Sequence, residues 1–284
     1  MKALKHISDT AYLVAAYRAF ETERADSLFK DPYAKQLVGQ HGFDVVSELR
    51  DGRNSSWFLV ARTLILDQWI LDLIHQEELD TVINLAAGLD TRAFRLPLPR
   101  HLTWYDVDLS DITLHKEKNL VGIKPTCIHH FVPLDLSNKE KRTDFFKKVA
   151  GSSKKALILS EGFLMYLNPS QAAELATDLS QYPPFRFWLA ELIGPIQLKL
   201  IQWKWGKAFR EANSEMRFAP REGADFFKAY GWTPKRFVSS FDKAIEIKRA
   251  PSGAKTLRMI FSFLPSALNQ RINRAGIALL ANKM

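Results

Sequence analysis

NLAAGLDTRAFRL at residues 84–96, followed by TWYDVDL at residues 103–109, decides the fold. The first stretch ends an apolar run on the small-residue turn Ala86-Ala87-Gly88. The second is a strand-like run tipped by two carboxylates, Asp106 and Asp108. A strand, a glycine turn and a second strand with an acid at its end, about twenty residues past the glycine, is how a parallel sheet holds a nucleotide ribose. Gly88 suits the turn because a residue without Cβ takes a positive φ angle freely and lets a ligand approach the backbone.

Outward from this core, the chain alternates. Strands are predicted at 81–86, 103–107, 126–131, 156–160 and 185–190, and helices at 112–120, 139–149 and 169–180. Such alternation implies a mostly parallel sheet covered on both faces. Ahead of it a helical pattern occupies 9–28, and Asp31-Pro32 restarts the chain into a short helix. A longer helix, capped by Asn54 or Ser55 and running to about residue 76, carries Phe58, Ala61, Ile65, Leu66, Trp69 and Leu73 on its apolar face. After Pro195 a long helix to about residue 217 interrupts the alternation, and 236–240 and 256–263 predict further, antiparallel strands. Ile272, Ile277, Leu279 and Leu280 predict a terminal helix covering the fold or a neighbouring subunit. The expected organisation is one domain over residues 1–284: a helical cover at 1–79, a cofactor-binding core at 80–193, a lid at 194–233 and a basic segment at 234–284.

Composition agrees with an enzyme-sized globular chain: 284 residues, 46% of them hydrophobic, can bury one large core. The lysines near the N-terminus are followed by no apolar run, so no signal peptide is expected, and no stretch of about eighteen apolar residues predicts a membrane span. The single cysteine, Cys127, supplies neither a disulfide nor a metal-ligand pair, which implies a reducing, cytoplasmic setting and no metal. Of the formal charge of +9, most belongs to residues 235–284, where ten Lys or Arg face only Asp242 and Glu246. These charges are not interleaved with aromatics in a stripe, which argues against nucleic acid as a partner. A solvated face and a weak contact with an anionic surface both remain open for the segment.

In an open parallel sheet the residues that follow each strand are the binding candidates. Asp106 or Asp108 can accept hydrogen bonds from both ribose hydroxyls, although either could equally be a helix cap or a surface charge. Asp135-Leu136 follows the third strand, where the carboxylate could accept from an adenine amino group and the next N–H donate to the ring, or the pair could form a plain Asx turn. Ser160-Glu161-Gly162 ends the fourth strand and points an acid toward the same crevice. The turn lacks the three spaced glycines that accommodate a pyrophosphate, so a cofactor with ribose and adenine but no phosphate is favoured over a nicotinamide dinucleotide. S-adenosylmethionine fits that description.

The segments NLAAGLDTRAFRL, YDVDL, LILSEGFLMYL (157–167), DPYA (31–34) and ARTLILDQWI (61–70) together resemble the leucine carboxyl methyltransferase-like superfamily. More closely they resemble its bacterial small-molecule O-methyltransferases, including polyketide carboxyl methyltransferases, and FAPREGADFFKAYGW (218–232) is similar to the same branch. The likeness spans residues 10–233. It implies a class I, Rossmann-like methyltransferase fold with a helical N-terminal cover and an inserted lid helix. It also implies that Ala86 and Gly88 border the methionine moiety, Asp108 binds the ribose, and Asp135 with Leu136 holds the adenine. Arg62, assisted by Arg18, would pair with the cofactor carboxylate, Glu161 would lie near its amino group, and Tyr166 near the methyl-transfer centre. Ala86 departs from the glycine that many relatives carry.

A sulfonium methyl is already activated, so catalysis rests on aligning an oxygen nucleophile and excluding water. A carboxylate acceptor, with a pKa of about 4, needs no base, whereas a hydroxyl does. His129 and His130 fall within a predicted strand, and His6, His41, His75, His101 and His115 read as exposed or capping, which favours a carboxylate. The acceptor site should be roofed by the N-terminal helices, the helix after Pro195 and Phe226-Phe227. Trp203, Trp205, Phe209 and Phe218 would form an aromatic wall, or pack the lid onto the sheet. The function expected is S-adenosylmethionine-dependent O-methylation of a carboxylate or hydroxyl on a polyketide-like or apolar acid. The alternative is a non-catalytic S-adenosylmethionine-binding or membrane-associated scaffold.

Overall fold

A computed structural model describes residues 9–48, 56–212, 214–263 and 274–283. β1 (Thr81–Leu85) and β4 (Ala156–Ser160) are buried at every position, as a strand covered on both faces must be. Val82, Leu157 and Leu159 point into one apolar cluster with the N-terminal helices, while Ile83, Leu85 and Ile158 enter a second cluster on the opposite face. The seven strands lie in the order β3-β2-β1-β4-β5-β7-β6. β2 (Thr103–Asp108), β3 (Ile128–Pro133) and β5 (Phe185–Leu192) complete the parallel part, and β7 (Gly276–Asn282) pairs antiparallel with both β5 and β6 (Trp232–Ser239). Strand order reverses between β1 and β4. Leu85 stands opposite Val107 and Asn84 opposite Leu159, so the carboxyl ends of β1, β2 and β4 lie level at that reversal.

Helices α1 (Asp9–Glu23), α2 (Ala34–Glu48) and α3 (Trp57–Glu77) precede the sheet, and α4 (Arg92–Arg95), α5 (Ser110–Asn119), α6 (Lys139–Ser152) and α7 (Pro169–Ser180) follow its first four strands. α1 ends at Glu23, short of the expected residue 28. α7 opens on a reciprocal cap in which Asn168 accepts from the Gln171 N–H and the Gln171 side chain accepts from the Asn168 N–H. The expected caps at Asn54 and Ser55 lie outside the described residues; α3 starts after Ser56, whose side chain makes no cap bond.

Three expectations for the second half are corrected. The helix after Pro195, α8 (Pro195–Glu211), stops six residues early, because the Arg217 and Phe218 N–H groups turn back to the Met165 carbonyl at 2.7 and 3.1 Å. Residues 256–263 form no strand: α9 (Ser240–Glu246) is followed by α10 (Ala254–Ser262), which starts from Gly253 at φ 81°. The run expected to be a terminal helix is β7, with Ile277 and Leu280 fully buried in the sheet; Ile272 lies outside the described residues. A short apolar run fits either period, and here the open edge of β5 supplies the hydrogen-bond partners that make it a strand. No helix among the described residues is long and apolar enough to cross a membrane.

Candidate active site

At the reversal of strand order the backbone leaves β1 through two left-handed residues, Ala86 at φ 52° and Gly88 at φ 51°. Gly88 is held close: a Cβ there would sit 3.1 Å from the Ala11 Cβ of α1. Asp108, the last residue of β2, accepts the Gly88 N–H on Oδ2 at 2.6 Å and the Leu109 N–H on Oδ1 at 2.7 Å. Burial pushes its carboxyl above the ordinary value, and those two N–H groups partly restore the charged form. The other acid of the pair, Asp106, lies within the strand and is structural. It accepts from Lys116 Nζ at 2.7 Å, Trp104 Nε1 at 2.8 Å and Asn84 Nδ2 at 3.1 Å, and it meets His129 Nε2 at 2.8 Å. Burial opposes its ionisation, but the Lys116 and His129 side chains hold it well below the usual carboxylate range.

Beneath this turn lies a network of guanidinium and carboxylate groups drawn from six parts of the chain. Arg62 of α3 reaches Glu161, after β4, at 2.8 Å and Glu191 of β5 at 2.7 Å, and Glu191 also accepts the Gly162 N–H at 2.6 Å. Arg92 joins Asp67 at 2.7 Å, Asp90 at 2.5 Å and Glu161 at 2.6 Å, and Arg95 binds both oxygens of Asp67. Arg18 donates to Asp31 at 2.8 Å and to the Leu89 carbonyl at 2.5 Å. Burial disfavours the ionised form of Glu161, but Arg62 and Arg92 overcome it and bring the carboxyl down to about 2. Glu191 goes the other way: its burial outweighs Arg62, and nearby Glu161 pushes it up further. The Nε of Arg62 is buried without a hydrogen-bond partner.

A single cavity of about 870 Å3 runs from these groups outward. Arg18, Arg62, Ala86, Gly88, Asp108, Asp135, Leu136, Glu161 and Tyr166 all line it, so the fold brings together the nine residues expected to hold the cofactor and the transfer centre, though not all of the expected aromatic roof. Asp135 also makes the Asx turn, accepting the Ser137 N–H at 2.8 Å. The Tyr166 hydroxyl shares a hydrogen bond with the Thr10 side chain, and enclosure pushes it up to about 12. The outer half is apolar, walled by Leu13, Met165, Ile193, Ile201, Trp205 and Phe209. Trp203 is 80% exposed and faces away from this wall. Phe218, Phe226 and Phe227 are absent from the roof; they pack on one another and, through Phe227 and Trp188 at 5.0 Å between ring centres, against the other side of the sheet. Among the described histidines none lines the cavity.

Sequence reasoning missed Arg92, Asp67, Arg95, Asp31 and Glu191. Asp67 shares α3 with Arg62 but stands five residues on, off its face, and pairs instead with Arg92 and Arg95 from beyond β1. Asp31 stood in a recognised motif without a role. Glu191 carried no local signal, being 129 residues from Arg62.

A glycine turn after β1 and an acid ending β2, at the reversal of a sheet with this strand order, define the class I methyltransferase fold. A DUF574-family protein from Streptomyces avermitilis shares it over 100% of this chain and 99% of its own, with a TM-score of 0.57 at 12% identity. A provisionally named methyltransferase from Thermobifida fusca does so over 99% and 96%, with a TM-score of 0.56 at 14% identity. The chain belongs to the leucine carboxyl methyltransferase family, whose model matches residues 11–180. A relative from Mycobacterium sp. (strain KMS), provisionally named an S-adenosyl-L-methionine-dependent methyltransferase, is 29% identical over 63% of this chain and 64% of its own length. One of the same name from Mycolicibacterium paratuberculosis is 35% identical over 61% and 67%. The match thus covers less than two thirds of the first of these relatives.

Proposed function

We propose that the chain binds S-adenosylmethionine and transfers its methyl group to a carboxylate or hydroxyl oxygen of a small, apolar, polyketide-like molecule. The observation that carries this reading is one continuous cavity with a charged inner half at the strand ends and an apolar outer half. The residues present fit the cofactor. Arg62, Arg18, Arg92 and Arg95 face five carboxylates, Asp31, Asp67, Asp90, Glu161 and Glu191, with Asp108 beyond them. That excess of negative charge suits a ligand in which sulfonium and ammonium outweigh one carboxylate. Arg62 lines this cavity and its Nε is a buried donor without a partner, which an anionic ligand group within reach would satisfy.

When bound, S-adenosylmethionine supplies a methyl already activated toward an oxygen nucleophile. Asp108, locked by the Gly88 and Leu109 N–H groups, keeps a lone pair on each oxygen for the ribose hydroxyls. Asp135 and the Leu136 N–H would hold the adenine, Arg62 with Arg18 the cofactor carboxylate, and Glu161, ionised at neutral pH, the ammonium. The apolar wall excludes water and orients the acceptor. Tyr166, its hydroxyl held protonated at neutral pH, serves as a hydrogen-bond donor that positions the acceptor oxygen rather than as a base. With no described histidine on the cavity, a carboxylate, already ionised, is the acceptor that these residues serve best.

The test is calorimetric titration with S-adenosylmethionine, followed by methyl-labelled cofactor and a panel of apolar carboxylic acids and phenols. Saturable binding and a base-labile labelled ester are expected. No binding by cofactor-free protein would defeat the reading, and labelling of a peptide C-terminus but of none of the small acids would defeat its substrate class.

A further inference from the structure

The outward face of α8 carries one chemistry along its length. Ile196, Leu200 and Trp203 recur at helical spacing and stand 37%, 58% and 80% exposed. Lys199, Lys207 and Arg210 are exposed on the same face, and no acid occurs in the helix before Glu211. At the opening of the cavity, α10 exposes Leu257, Met259, Ile260 and Phe263, with Lys255 exposed one turn before Met259 and Arg258 half-buried against Asp242 at 2.6 Å. Neither patch is separate from the cavity: Ile196, Leu200 and Leu257 line it while remaining open to solvent. The cavity lining therefore reaches the surface along these three apolar residues, with Gln197 and Lys204 of α8 beside them.

A contiguous apolar rim of this kind marks an interaction site. Lys and Arg interleaved with Trp, Leu and Ile on one helix face is the composition that settles at the headgroup level of an anionic bilayer, with ammonium groups on the phosphates and the aromatic ring at the boundary. An acidic protein partner would match the charges, but it would leave the apolar residues that lead from the rim into the cavity, Ile196, Leu200 and Leu257, without a purpose. We propose that the rim formed by α8 and α10 docks on an anionic lipid bilayer, so that an amphiphilic acid dissolved there enters the cavity past Ile196, Leu200 and Leu257. The docking rests on the rim alone; entry of an acceptor rests on the methyltransferase reading above. The basic C-terminal segment contributes α10, but α8, far from it in sequence, supplies the opposite bank.

The test is sedimentation of the full chain with vesicles of phosphatidylcholine alone and of phosphatidylcholine mixed with phosphatidylglycerol, each at low and high salt. S-adenosylmethionine titration of the same samples reads the methyltransferase site separately. Binding to the anionic vesicles only, weakened by salt, is expected. Trp203→Ser should weaken it about tenfold, and Lys199→Gln and Lys207→Gln about fivefold each, with cofactor affinity unchanged in all three. Three results would each overturn the proposal: no anionic vesicle binding by protein that still binds cofactor, binding indifferent to all three substitutions, or a dimer in light scattering that Trp203→Ser dissociates. The last would assign the rim to a second copy of the chain.

Discussion

The inner half of the cavity is built from charged side chains that tie together elements far apart in sequence, Arg62 of α3 to Glu191 of β5 and Arg92 of α4 to Asp67 of α3. The outer half is walled by α8 together with Leu13, Met165 and Ile193, and at its mouth α8 and α10 leave Leu200, Trp203 and Phe263 more than half exposed. In the inner half Asp31, Asp67, Asp90, Asp108, Glu161 and Glu191 are each fixed by two or more donors, so a ligand meets groups already aimed, and little reorganisation is needed on binding. In the outer half contact is through shape and apolar area, which constrains the identity of a ligand much less. On the function proposed above, cofactor recognition would fall to the strand ends and acceptor choice to the helices at the mouth of the cavity.

The most damaging break would be Arg62→Met. It leaves Glu191 without its cation and Glu161 with Arg92 alone, and removing one member of a buried ion pair costs about 3–5 kcal/mol. Urea unfolding should show that loss; a change under about 1 kcal/mol would mean that the inner network is solvated like a surface. The same network sets an acid limit. Glu161 ionises at about 2 in the folded chain against an ordinary 4.5, so its contribution is complete above pH 4.5 and is lost as the pH falls toward 2. Urea midpoints followed across that window should fall with pH in the parent chain and fall less in Arg62→Met, which lacks one of the two main counter-charges. Equal slopes would place the acid sensitivity elsewhere.

Asp108→Ala should sharpen the comparison by lowering S-adenosylmethionine affinity about tenfold, or ~1.4 kcal/mol, while acceptor KM at saturating cofactor stays put. Trp205→Leu should do the reverse. Losing an aromatic contact worth about 0.5–1.5 kcal/mol should raise acceptor KM by roughly three- to tenfold and leave cofactor affinity alone. If both variants moved both constants, the two halves would be one site rather than two. The smallest effect is expected for Ala86→Gly. Relief of a left-handed alanine, worth about 1–2 kcal/mol, is largely offset by about 0.5–1 kcal/mol of chain entropy. Thermal unfolding should rise slightly, and a clear fall would show that the Ala86 methyl packs usefully in the turn.

How much was legible in the sequence divides along the same line. NLAAGLDTRAFRL and YDVDL determined the parallel sheet, the turn and the strand-end acids, because a parallel strand buried on both faces is a continuous apolar run and the residue after it falls at the ligand crevice whatever surrounds it. The nine residues expected at the site from those motifs and the family resemblance all line one cavity. The strand pattern alone left Asp106 and Asp108 open, and only the family resemblance pointed to Asp108; in the structure Lys116 and His129, brought in from α5 and β3, claim Asp106 and leave Asp108 to the cavity. Likewise GIALLAN could be helix or strand by its own pattern, and became β7 because it lies between β5 and β6, whose backbones need partners. Local pattern is set by neighbours along the chain and so survives in the sequence. The Glu191 partner of Arg62, the fate of Phe226-Phe227 and the meeting of α8 with α10 at one opening are set by distance in space, which only the tertiary structure decides.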